Sequence, residues 1–468
     1  MQFVNVIGKM SESKKKPDPI EWIIKQSNDS LLSLKTSIIK KDLSKQRFDK
    51  ALSKLHSFQE KFIKGNDKSF WIDSGGYNLF DFTLTPEEVD NYIAFYNTYL
   101  EELRDDYDKI FSLDLSFGKK NEWFNTIENV KRFNKTSIEK SIEVLKKYPK
   151  LKSKFYFVLN FKNLQLYNIF HELYEKFDSK IGIENRAIGG LVSHRKQTKG
   201  STVISPFIGP AFFLLKDYIT KERFNSQFRL HFLGVDLSQD RFMIAFLEKL
   251  FNCYLKEYNV SSVLSYDTIT HSHQAIFELK SSKIYWFDKK RHQHKILCDR
   301  DIFFVSPERL ERVYGKDNSK IIYDELQGLN TKKQKVRNVD LFFPLFIHSN
   351  INLDNFFVEF IASKRLPKLF FKHNDVYCFN EEVRKFFDGV VPSEEKLNSE
   401  HGNHCMEIEM EISVLYDVFT ENVVNNIRHS LSKTFEFHQL MVDGKSIGDI
   451  QDKMKQFITE MKHEEALK

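Results

Sequence analysis

Ser69-Phe70-Trp71-Ile72-Asp73-Ser74-Gly75-Gly76-Tyr77 is a short apolar run that stops abruptly at an acid and a glycine pair. A β-prone run of four to eight residues bounded by turn residues reads as a buried strand. Val263-Leu264-Ser265-Tyr266 repeats the pattern and ends in Asp267. Two carboxylates therefore stand at strand ends. Gly75 and Gly76 leave room for a flat ligand such as a nucleobase to lie against the backbone, and the ring of Tyr77 can cover its other face. A strand-to-helix turn capped by Asp73 and Ser74 fits the same residues.

Working outward, further runs at Tyr107 to Leu113, Phe155 to Leu159, Ala187 to Leu191 and Arg229 to Val235 alternate with longer segments of helical period. This alternation predicts parallel strands joined by helices. Most runs end in a polar or glycine residue: Asp73, Asp114, Asn160, Gly189-Gly190, Asp236 and Asp267. A (β/α)8 barrel builds its site at the C-terminal ends of its strands, so these endings fit that fold. Doubly wound sheets give a similar pattern, but no GxGxxG opens a helix here. The expected fold is α/β, a (β/α)8 TIM barrel with helical N-terminal and C-terminal extensions. The expected boundaries are a helical extension over 1–65, the barrel core over 66–300, reaching to about 360, and a mainly helical region over 301–468. Within the last, Pro367 to Asn380 reads as a hairpin turning at His373-Asn374-Asp375.

The bulk properties exclude little. In 468 residues, Lys plus Arg exceed Asp plus Glu by 6, which permits a polyanionic partner without demanding one. Four scattered cysteines with no CxxC pair suit a reducing, cytoplasmic compartment better than a disulfide framework. The N-terminal stretch lacks a signal peptide's apolar run, and no segment approaches the ~20 apolar residues of a membrane span. No membrane role is expected. The 45 phenylalanines and abundant lysines reflect AT-rich coding.

Asp73-Ser-Gly-Gly-Tyr77, Ala187-Ile-Gly-Gly-Leu191, Leu233-Gly-Val235, and Asp267 after an aromatic resemble the tRNA-guanine transglycosylase family in order and approximate spacing. The resemblance covers roughly residues 66 to 275. It implies a barrel that exchanges guanine in nucleic acid for a 7-deazaguanine base through a covalent glycosyl-aspartate. It assigns Asp267 as nucleophile and Asp73 as general acid/base. Ser74, Gly75, Gly76, Asn78, Asn160 and Gly234 fall in the base-binding motifs. Asp114 would accept from the guanine edge, amides at Gly189, Gly190 and Leu191 would donate to its carbonyl, and Tyr77 would stack on it. On the residues alone, Asp114 and Asp267 could equally cap the helices that follow them, and the glycines could relieve crowding at a bend.

The chain also departs from the family. Asn78 stands where the family has Gln, and Asn160-Phe161 where it has Gln-Gly. Val192-Ser193-His194-Arg195 lacks the acid that partners an aminomethyl base, which favours a nitrile base such as preQ0. The family's zinc-binding CxCxxC run is absent. His292, His294, Cys298 and His348 offer a substituted zinc set, or else a solvated basic turn and a buried histidine. Cys378, His401, His404 and Cys405 form a looser set. Arg195, Lys196 and Lys199 follow the glycine motif and are expected to contact phosphates.

These departures, with the AT-rich bias, point to the branch that modifies DNA, found in phages and mobile elements, acting in a host cytoplasm. A base in duplex DNA must then be flipped into the mouth, and protein partners that open the strands would be compatible with this. The alternatives are a divergent enzyme acting on tRNA, a noncatalytic nucleic-acid-binding subunit of the family, and an unrelated barrel glycosidase using the same two carboxylates.

Overall fold

The computed structural model of the chain describes residues 1–7, 28–34, 45–62, 68–76, 84–116, 126–191, 203–224, 227–235, 237–268, 284–288, 293–297, 311, 316, 320, 353–361, 370–373, 376–379, 419 and 421–466. Strands β1 (Gln2–Ile7), β2 (Asp29–Ser33), β3 (Ser69–Asp73), β4 (Lys109–Phe111), β5 (Phe155–Asn160), β6 (Asn185–Gly189), β7 (Phe228–Phe232) and β8 (Ser262–Thr268) pair in chain order. All pairs are parallel, and β8 returns to β1 to close the barrel. Helices α1 (Lys45–Phe62), α2 (Pro86–Glu102), α3 (Ile127–Lys147), α4 (Leu164–Ile181), α5 (Ile208–Thr220) and α6 (Ser238–Leu255) connect the strands from β2 onward. The chain is a (β/α)8 barrel, as the strand–helix alternation predicts.

Two boundaries differ from the expectation. Residues 1–65 are not a helical extension: they carry β1 and β2 as well as α1, so the barrel starts at Gln2 and closes at Thr268 rather than spanning 66–300. The reason is visible in β2, Asp29-Ser30-Leu31-Leu32-Ser33, whose polar residues are buried by partners on neighbouring strands. Trp71 Nε1 donates to Ser69 Oγ at 2.8 Å and to Asp29 Oδ1 at 3.3 Å.

The alternation of strand side chains sorts the core into two. Val4, Leu31, Trp71, Phe111, Tyr156, Val158 and Ala187 pack together inside the barrel. Their neighbours, among them Leu32, Phe70, Ile72, Phe157, Ile188 and Leu230, join the larger cluster beneath the helices. Period-two alternation between two buried faces is what a barrel strand requires. The interior is plugged by aromatic rings: Trp71 lies 5.9 Å from Phe111 and 5.6 Å from Tyr156, centroid to centroid. The helices start where the sequence supplies caps. Thr85 and Glu88 form a reciprocal capping box at α2, Thr126 caps α3, and Asn163 caps α4.

Beyond the barrel lie α7 (353–361), α8 (Glu421–Val442) and α9 (Ile447–Ala466), with two hairpins, β9 (Ile284–Asp288) with β10 (Gln293–Leu297) and β11 (Phe370–His373) with β12 (Val376–Phe379). The second hairpin falls where Pro367 to Asn380 predicts it. Helices α8 and α9 pack on α5: Gly209 lies beneath Phe437 and Phe457, and the rings of Phe212 and Phe437 stack at 5.5 Å. Among the described residues, no helix is long and apolar enough to cross a membrane.

Asp354 ties α7 to the barrel wall. It accepts from Arg241 Nε at 2.8 Å and from the Tyr266 hydroxyl, and all three residues are buried. Removing one partner of a buried ion pair strands the other charge. Asp354→Ala is expected to cost about 3–5 kcal/mol in urea unfolding, and the paired change Asp354→Leu with Arg241→Met much less.

Candidate active site

Because all eight strands run the same way, their C-terminal ends meet at one rim. There the strand-end residues gather: Asp73 at the end of β3, Asp114 three residues past β4, Asn160 at the end of β5, Gly189 ending β6, Gly234 past β7, and Asp267 near the end of β8. Gly190 and Leu191 follow directly on β6. Asp114, Asn160 and Asp267 are buried, while Asp73 is partly open.

The glycines sit where a side chain would collide. A Cβ on Gly189 would lie 2.9 Å from Asp114 Oδ2 and 2.8 Å from Val158 Cγ1. Gly190 has φ +83°, and a Cβ there would meet Asn160 Oδ1 at 2.7 Å and the Lys162 nitrogen at 2.8 Å. The close approach of this backbone to Asp114 and Asn160 is therefore available only to glycine. Asn160 is oriented from both ends. Its Nδ2 donates to Asp114 Oδ2 at 3.3 Å, and its Oδ1 accepts from the Lys162 N–H at 3.1 Å.

A carboxylate close to another, away from water, is pushed toward its neutral form, as Asp73 and Asp114 show. Burial pushes Asp73 up to about 6; the Asp267 charge adds to this, while the Ser33 hydroxyl and the amides of Gly75 and Ser74 work against it. Burial pushes Asp114 up to about 8, with the Asp73 charge adding and the Asn160 amide opposing. Asp73 is thus electrostatically coupled to both other acids. Its acceptance of the Ser74 and Gly75 amides is also what a turn cap would show. Capping does not account for Asp114, since Thr126 caps the helix after β4. The Ser74 carbonyl accepts from the Tyr92 hydroxyl at 2.6 Å, which pins the turn, and Gly76 packs against the Asp114 carbonyl.

Asp267 is held from two sides. The Gly234 N–H donates to its Oδ1 at 2.8 Å, and His231 Nε2 lies 3.0 Å from the same oxygen. His231 Nδ1 lies 2.9 Å from Ser265 Oγ. His231, Ser265 and the Ser33 hydroxyl against Asp73 carry no motif in the sequence that marks them as site residues. The available signal is spacing: Ser265 and Asp267 stand two apart on β8, hence on one face, and His231 on β7 stands two before Leu233, just past the strand end.

Tyr77, Asn78, Arg195, Lys196 and Lys199 lie outside the described residues, as do Asp236, His292, Cys298, His348, His401, His404 and Cys405. For His294 and Cys378 only the backbone is described, in β10 and β12. Among the described residues, the metal-capable grouping is His56, Glu60 and Asp106, on α1 and past α2 and away from the strand-end acids. Fold and site together define a (β/α)8-barrel protein with an acidic, glycine-lined mouth. The chain matches no family model and no curated protein.

Stability should carry the signature of the raised acids. Both fold with more proton affinity than the ordinary value of 3.8, so their contribution is full below about 4 and is lost as pH rises through about 6 for Asp73 and about 8 for Asp114. Asp114→Asn, which cannot ionise, is expected to lose less stability than the parent between pH 5 and pH 8.5. Urea midpoints at the two pH values measure this.

Proposed function

We propose that this protein is a base-exchange transglycosylase that replaces guanine in DNA with a 7-deazaguanine base through a covalent glycosyl-aspartate. The observation that carries the reading is the convergence of Asp73, Asp114 and Asp267 with the crowded Gly189-Gly190 backbone at one barrel rim. A glycosidase needs two carboxylates, but has no use for a third carboxylate packed against a glycine pair.

The chemistry divides among the three acids. Asp267 attacks C1′ of the nucleotide; the new C1′–O bond forms as the C1′–N9 bond breaks, and its electron pair leaves on guanine N9. Asp73 in its acid form gives a proton to the departing ring. The incoming 7-deazaguanine loses its N9 proton to the resulting carboxylate and attacks C1′, returning the C1′–O pair to Asp267. A group poised near 6 can do both at neutral pH. Asp114 accepts from N1–H and the exocyclic amine of the base, with Asn160 holding its other side and the backbone at Gly189 to Leu191 available to the base carbonyl. Because Asp114 is pushed up to about 8 in the free protein and must be ionised to accept two hydrogen bonds, base binding at pH 7 releases a proton.

The deciding experiment offers labelled preQ0 to duplex DNA and, in parallel, to unmodified tRNA. Label is expected in DNA, and Asp267→Ala should abolish it along with any denaturant-stable protein–DNA adduct. Label in tRNA alone moves the substrate to RNA; label in neither sinks the exchange reading. Asp73→Asn is expected to slow exchange far more than it weakens DNA binding, and equal losses in both would reassign it to binding.

A further inference from the structure

We propose that His231 is a positioning residue that selects Oδ2 of Asp267 as the attacking oxygen; this rests on the exchange reading above. The Gly234 amide donates to Asp267 Oδ1 at 2.8 Å. A carboxylate, the form in which Asp267 acts as nucleophile, only accepts, so His231 Nε2, at 3.0 Å from the same oxygen, carries the proton between them. In the neutral ring this leaves Nδ1 to accept from the Ser265 hydroxyl at 2.9 Å. One backbone amide and one imidazole thus both load Oδ1, and Oδ2 has no hydrogen-bond partner among the described residues.

The imidazole cannot turn away from this task. It is fully buried and lies against the rings of Phe111, 4.6 Å centroid to centroid, and Trp71, at 5.2 Å. Tyr156 meets it edge-on at 6.4 Å. The aromatic plug that fills the barrel therefore also sets the angle from which the nitrogen reaches the carboxylate.

Two donors on Oδ1 serve both halves of the exchange. In the first, they fix the carboxylate plane so that the lone pairs of Oδ2 are free for C1′. Once the C1′–Oδ2 bond has formed, Oδ1 is the ester carbonyl oxygen, and the same N–H groups stabilise the negative charge that returns to the carboxylate as the incoming base displaces it. Atoms and protons stay where the three-acid scheme puts them, and His231 gives up none.

The test combines a structural and a kinetic readout on the full chain. Histidine 15N shifts, with the His231→Gln spectrum identifying the signal, are expected to report the Nε2–H tautomer. His231→Phe, which keeps an aromatic in the plug, should slow adduct formation on DNA about 10–100-fold with the KM for DNA unchanged, the loss expected for one hydrogen bond to a charged group. His231→Gln, which returns a donor near the Nε2 position, should recover to within about threefold of the parent. An Nδ1–H tautomer, or adduct formation by His231→Phe at the parental rate, overturns the positioning role while leaving Asp267 as nucleophile. A parent protein that forms no adduct on DNA or tRNA, or an Asp267→Ala variant that still does, overturns the exchange reading and this role with it.

Discussion

The packing of Trp71, Phe111, Tyr156 and His231 inside the barrel is the constraint on which the site depends. A small eight-stranded parallel barrel has an interior just wide enough to be filled by side chains, and here large rings fill it. Once the rings occupy the middle, the two-residue period of each strand leaves the next inward position to the mouth. On β3 that position is Asp73, two after Trp71; on β5 it is Asn160, two after Val158 and four after Tyr156. The polar layer is a consequence of where the apolar layer ends. The rings also deny water to the underside of the carboxylates, which is why burial dominates the upward shifts of Asp73 and Asp114.

Six strands from Ser69 onward were legible because each is an apolar run ended by a turn residue. The first two were not. In β2 only Leu31 and Leu32 are apolar, and its acid is compensated by Trp71 and Ser69, residues some 40 positions away along the chain. Compensation of that kind has no local trace. The same holds within the site. Acids and glycines at strand ends announce themselves, whereas His231 sits in an apolar run, Arg229 to Phe232, where a lone histidine reads as core. Its meaning comes from Ser265 and Asp267 on the adjacent strand, through a register of His231 opposite Ser265 that only the assembled sheet supplies.

The C-terminal helices brace the segment that enters α5. Val203 and Ser205, in the segment that leads from the glycine motif into α5, donate their amides to Asn426 Oδ1 and Ser430 Oγ of α8. Gln239 and Asp240, at the start of α6, close the arrangement by bonding Val203 O, Asn426 and the Ser205 hydroxyl. In a β/α barrel a segment that enters a helix is held first by that helix. Here it has an added buttress from a part of the chain more than 200 residues later.

Closure of the barrel by β1 against β8 has a consequence for how the protein acquires its site. Gln2 pairs with Ser265 and Val4 with Asp267, so the strand bearing the candidate nucleophile is seated by residues from the opposite end of the barrel's sequence. Such a pairing joins residues far apart in the chain, and non-local pairings form late because loop-closure entropy must be overcome first. During synthesis Trp71, Phe111, Tyr156 and the other two acids, all on or just past β3 to β5, emerge before β8 does. The acid on β8 then joins the other two only with topological completion, and an unfinished chain presents a rim that lacks one of its three carboxylates.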